Sequence, residues 1–130
     1  MPVSFDLFGT LVTTTTPDDP AAAVATELRE RDVTVPNDWA TAYGTSHLDT
    51  PPTTEIPLPA HVAAALRSRG VDASDSAVRR AVVAAFDPEV RRRPGVDDAL
   101  NAARARGPVG LCSNCSVPEL VSRTLVRADL

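Results

Sequence analysis

The stretch VSFDLFGTLV, residues 3–12, decides how the rest of the chain is read. An apolar run leads to one acid, Asp6, followed by two more apolar residues and Gly9. A carboxylate is costly to bury unless it is paired, so an acid at the end of an apolar strand needs a reason. One reason is local: the acid caps backbone in the turn after the strand. The other is chemical. Ligands of open α/β sheets gather at the carboxyl ends of the strands, where a carboxylate can act as a covalent nucleophile. Gly9 would let the backbone turn sharply there or approach a ligand closely.

Working outward, residues 2–8 read as a buried strand ended by Gly9. The tract TTTTPDDP (13–20) reads as a loop running into a helix over 18–32, with acids in its first turn and Arg29 and Arg31 near its end. A second helix is expected over 36–47. Four prolines between residues 49 and 59 predict a loop. Residues 60–70 and 74–86 then read as a helix pair joined at Gly70, with Ser74 as N-cap of the second. PEVRRRPG (88–95) reads as a linker. A helix over 96–107 follows, stopped by Gly107, then a short apolar strand, PVGLC, and a last helix over 116–130. A strand, a long helical excursion and a return to a second strand describe an α/β core interrupted by a helical insert.

Composition sets the outer limits. The chain has 130 residues, 43% of them hydrophobic but only 4% aromatic, so its core is built mainly from Ala, Val and Leu. All 13 basic residues are Arg, set against 17 acids for a net charge of -4, which disfavours a nucleic-acid partner. No apolar run approaches membrane-spanning length and no signal pattern opens the sequence, so a cytoplasmic protein without a membrane partner is expected. Cys112 and Cys115 are too few for a disulfide framework.

A second chemical place follows the second strand, in LCSNCSVPEL (111–120). Ser113 and Asn114 offer a hydroxyl and an amide just past the strand end. Ser116 to Glu119 has the S-x-x-E spacing of a capping box, and a helix N-terminus there would favour an anion. Read as structure, the same residues are a loop and a capped helix. CSNC also fits C-x-x-C, which makes thiol redox chemistry an alternative. His47 and His61 show no zinc-ligand spacing.

Together these places resemble the haloacid dehalogenase-like (HAD) hydrolase superfamily. FDLFGTLV is similar to that family's first motif, D-x-x-G-T-L, and VGLCSN to its second, an apolar strand ending in Ser or Thr. The insert resembles the family's helical cap. The resemblance implies a partial Rossmann-like parallel core of two strands. Its boundaries would be 1–16 for the first strand and motif loop, 17–90 for the cap, and 91–130 for the core helix, second strand and following helix. It implies Asp6 as nucleophile, with Thr10, Ser113 and Asn114 binding a small phosphorylated or halogenated substrate. Magnesium, held by Asp6 and the Phe8 carbonyl, is implied for a phosphatase and no cofactor for a dehalogenase. Family phosphatases carry a second Asp where this chain has Phe8; the dehalogenases carry an aromatic there. The base of the third motif and the metal-holding acids of the fourth are not found, and the chain has no Lys. A truncated chain is therefore expected, weakly active or inactive alone. It is alternatively a non-catalytic remnant, or one half of a split protein that a complementing chain supplies with the missing core half.

Overall fold

A computed structural model describes residues 2–48, 56–87, 89–113, 115, 117 and 119–130. It divides into two compact units. One comprises Met1–Thr15, Pro88–Cys115 and Val121–Leu130; the other comprises Thr16–Asp87 and Ser116–Leu120.

The first unit is the α/β part. Its strands β1 (Val3–Phe5) and β4 (Val109–Leu111) pair in parallel, with Val3 opposite Val109 and Phe5 opposite Leu111. A second pair, β2 (Val12–Thr14) and β3 (Val90–Arg92), is antiparallel and was not expected from sequence. The chain leaves for the insert along β2 and returns along β3, so the insertion point is closed by its own ladder. Thr15 and Glu89 continue it, the Thr15 Oγ1 accepting the Glu89 N–H at 3.0 Å. Both stretches had read as connection, the first because a Thr run leads into Pro-Asp residues, the second because three arginines precede Pro94. A three-residue strand carries too little periodicity to show itself, and its partner lies far along the chain.

β1 is also shorter than the apolar run that contains it. The Leu7 carbonyl accepts N–H groups from Thr10, Leu11 and Val12 at 3.3, 3.0 and 3.2 Å, which folds the chain back on itself. Gly9 takes a left-handed φ of 78° to complete the turn, and Phe8 is left with an isolated bridge to Val12. Leu7, Leu11 and Val12 are buried with Val96 and Leu100 of α5 (Val96–Arg104) and with Ala128, which follows α6 (Glu119–Arg127). Among the described residues only Leu111 and Val126 are large hydrophobics left exposed, so this small core leaves less apolar surface open than two short strands alone would suggest.

The second unit is helical: α1 (Pro20–Glu30), α2 (Trp39–Gly44), α3 (Leu58–Ser68) and α4 (Asp75–Ala85). The four helices between the strands agree with the sequence reading, and their ends show which local signals were right. Ser74 caps α4 by accepting the Ala77 N–H at 3.1 Å. At α1 the acid is the cap itself: Asp19 accepts the Ala22 N–H at 3.1 Å, and the first turn holds no acid. α2 is confined to one and a half turns of the expected 36–47, and Asp38 before it bonds to Arg69 Nε at 2.8 Å instead of capping. α3 opens at Leu58, earlier than expected, because Pro59 falls in the first turn, where its missing N–H has no helical partner to lose. Residues 49–55 of the proline-rich stretch, and the Ser116 capping box, lie outside the described residues.

α1 and α4 pack together, as do α1 with α2, α2 with α3 and α3 with α4. Val24 and Leu28 of α1, Val62 and Leu66 of α3, and Val78 and Val82 of α4 are fully buried between them. The Trp39 Nε1–H donates to the Ala21 carbonyl at 2.9 Å, tying α2 to α1. Among the described residues no helix is long and apolar enough to cross a membrane.

Two stability outcomes follow from burial. Leu28→Ala should cost about 2–5 kcal/mol, read as a lower urea midpoint in the fluorescence of Trp39, the single tryptophan. Thr124 on α6 is fully buried with no hydrogen-bond partner for its hydroxyl among the described residues. Thr124→Val keeps the shape and removes the unmatched group, so it should raise stability by about 1 kcal/mol in the same assay followed by circular dichroism.

Candidate functional site

The parallel register builds this site. Beyond β1 and β4 the ladder continues with one more bond, from the Cys112 N–H to the Phe5 carbonyl at 2.8 Å. Asp6 and Cys112 are therefore lateral neighbours at the carboxyl edge of the pair, with Ser113 next along the second segment. Sequence reading had put an acid and a hydroxyl at two strand ends; the pairing puts both ends on one edge of one sheet.

Asp6 is exposed. Its Oδ1 accepts the N–H of Leu7 at 3.0 Å, and its Oδ2 meets the Thr10 hydroxyl at 3.5 Å, the outer limit of a hydrogen bond. The local capping role considered from sequence is thus real, yet it engages one oxygen well and the other only weakly. Thr10 stands on the exposed turn that follows. Phe8 packs its ring against the core around Leu7 and Leu100. Ser113 is half-buried, and its Oγ is shielded from solvent with no hydrogen-bond partner among the described residues. A shielded hydroxyl without a partner carries a desolvation cost that a bound polar ligand could relieve. Asn114 lies outside the described residues.

One residue at this edge was not foreseen. Arg93, directly after β3, donates from Nη1 to the Gly9 carbonyl at 2.5 Å, and its backbone N–H donates to the Leu11 carbonyl at 3.0 Å. By sequence alone the triple-arginine run reads as part of a linker. Arg92 forms an ion pair with Asp97, while Arg93 holds the turn that carries Thr10. Nothing in RRRPG alone marks which arginine turns toward the motif; the strand that aims it is legible only once β2 is known.

A magnesium ion requires several oxygen donors in near-octahedral order. Asp6 and the Phe8 carbonyl supply two candidates, and among the described residues no three His, Cys, Asp or Glu side chains gather. These two oxygens would fill part of such a shell, the rest coming from water, substrate or further protein donors.

The other candidates have structural occupations. Nε2 of His47 and of His61 lies 2.6 Å from the Ala42 and Tyr43 carbonyls, so each ring nitrogen is the donor. These are last-turn carbonyls of α2, and that of Ala42 also accepts the Thr45 N–H at 3.3 Å. The two imidazoles are tilted by 33° with centroids 5.9 Å apart, and His61 meets edge-on the ring of Tyr43, whose phenol pKa is pushed up by burial. Arg31 pairs with Glu27 at 2.8 Å on its own helix, and Arg29 is exposed. Cys112 is exposed and Cys115 half-buried, both ahead of the first turn of α6.

No protein-family model matches the chain, and no curated protein matches it significantly. Among solved structures it is similar to a predicted phosphoglycolate phosphatase from Haemophilus somnus 129PT, at 18% identity and a TM-score of 0.40. That likeness covers 86% of this chain and 50% of the other, so the chain spans half the length of the protein it matches. At this level of likeness the site stands on its own geometry.

The turn that shapes the site gives a direct test. A Cβ at Gly9 would meet nothing within 4 Å, so only its φ of 78° opposes substitution. Gly9→Ala should therefore destabilise by about 1–2 kcal/mol, and Gly9→Asn by less, since Asn tolerates the left-handed region. Urea unfolding followed by circular dichroism measures both.

Proposed function

We propose that the chain carries the nucleophile side of a HAD-like hydrolase site. The observation that carries this reading is that Asp6, beside Cys112 in the register, and Ser113, one residue beyond Cys112, both follow the carboxyl ends of the paired strands β1 and β4. An exposed carboxylate with one loosely engaged oxygen has the access that nucleophilic attack requires. A hydroxyl without a hydrogen-bond partner among the described residues suits hydrogen bonding to the anionic group of a substrate.

In this reading Asp6 attacks the phosphorus of a small phosphate ester, or the halogen-bearing carbon of a small haloacid. A covalent ester or acyl phosphate forms on the carboxylate and the alkoxide or halide leaves. Thr10 steadies Asp6 from the neighbouring turn, and Ser113, with Asn114 beside it, orients the substrate. Phe8 offers no proton to a departing oxygen, which favours a leaving group that needs none, such as a halide or an aryl oxide. The family's charge-balancing base and metal-holding acids have no counterpart assigned in these residues, and the chain has no Lys. The reading assigns those parts to further polypeptide, either continuous with this chain or a complementing chain, and magnesium to the phosphatase form of the completed site.

Intact-mass analysis after incubation with an aryl phosphate and with a 2-haloacid, with and without Mg²⁺, tests the assignment. A covalent adduct on Asp6 is expected, with little or no multiple turnover by this chain alone. Asp6→Asn should reduce the adduct to background. Adduct formation or turnover that survives Asp6→Asn overturns the nucleophile.

A further inference from the structure

We propose that Arg93 is a positioning residue for Asp6, acting through the turn between them. The inference rests on the reading of Asp6 as nucleophile and names the group that fixes its geometry.

Three features lead to it. The turn after Asp6 is organised mainly by backbone: the Leu7 carbonyl gathers three N–H groups, and the Gly9 N–H donates to the Val12 carbonyl at 2.8 Å. These bonds leave the Gly9 carbonyl outside the turn's own network, and there the Arg93 guanidinium binds it at 2.5 Å. The same residue grips the far end of the turn through its backbone N–H to the Leu11 carbonyl at 3.0 Å. One residue therefore holds both ends of the segment.

The path to the carboxylate is short. A peptide unit is planar, so fixing the Gly9 carbonyl fixes the orientation of the Thr10 N–H and the start of the Thr10 backbone. The Thr10 hydroxyl then stands 3.5 Å from Asp6 Oδ2. Leu7 N–H holds Oδ1, and the weaker Thr10 contact reaches the second oxygen from the turn that Arg93 clamps. Gly9 has the backbone freedom that makes a clamp necessary. Arg93 is exposed and is not among the buried residues of the core, so its removal releases the turn without opening the core around Leu7. A charged donor on a carbonyl is also stronger than a neutral one, which suits a single side chain holding an otherwise solvated turn.

The test uses the full chain and four proteins: unsubstituted, Arg93→Ala, Arg93→Met and Arg93→Lys. Amide hydrogen exchange at residues 9–12 and the χ1 scalar couplings of Asp6 and Thr10 are measured by NMR, with circular dichroism as a control for the fold. Arg93→Ala and Arg93→Met should keep the fold, while exchange at Gly9 and Thr10 accelerates and the Asp6 and Thr10 couplings move to rotamer averages. Arg93→Lys, which restores one charged donor, should recover part of the order; a merely structural role for the side-chain stem would be rescued by Met instead. Unchanged couplings and exchange in Arg93→Ala, or rescue by Met as complete as by Lys, overturn the proposal. The rate of Asp6 labelling by the aryl phosphate should fall on the order of tenfold or more in Arg93→Ala, as misplacing a reacting group does. Failure of the unsubstituted chain to label at Asp6 overturns the nucleophile reading on which the proposal rests, whereas labelling in which Arg93→Ala matches the unsubstituted rate overturns the positioning role alone.

Discussion

The hydrogen bond from the Cys112 N–H to the Phe5 carbonyl, at 2.8 Å, extends the parallel pairing of β1 with β4 by one step beyond the strands themselves. Everything at the candidate site depends on that register. Because parallel neighbours run the same way, both strands release their chains at the same edge, and Asp6 and Ser113 emerge together. A slip of one residue would reverse the face to which every side chain of β4 points, and the acid would face a different neighbour.

The pairing itself depends on a device at the base of the insert. Parallel strands need a long crossover between them, and here the crossover includes the four helices of the insert and α5. The β2–β3 ladder closes the insertion point, so that the chain re-enters the α/β unit beside the place where it left. The turn after Asp6 is attached to the same ladder: Val12 is both the start of β2 and the acceptor for the Gly9 N–H. Arg93, just past β3, reaches the Gly9 carbonyl from the other arm. The segment that shapes the acid's surroundings is thus held by both arms of the insert.

Helices were legible where a cap or an apolar stripe marked them. Ser74 capped α4 as its sequence context required, and Gly70 took the left-handed conformation between α3 and α4. Their boundaries moved where a residue had two possible uses, as with Asp38, which bonds Arg69, and Pro59, which opens a helix instead of ending a loop. The helix ends also explain the histidines, whose place was invisible in sequence because the carbonyls they serve belong to a helix whose end was misplaced.

The sequence by itself determined the α/β class, the helical insert, and the acid and hydroxyl following two apolar strands, because burial patterns and caps act over a few residues. The resemblance carried by its motifs already implied that those strands form a parallel pair; tertiary structure alone decided their register, that two three-residue segments flanking the insert pair with each other, and that Arg93 of three consecutive arginines holds the Asp6 turn. The physical reason is range. A three-residue strand is stabilised by a partner distant in sequence and by the core beneath it, and neither leaves a periodic trace in the strand's own residues. The acid at the end of VSFD was readable as chemistry; the company it keeps was set by the fold.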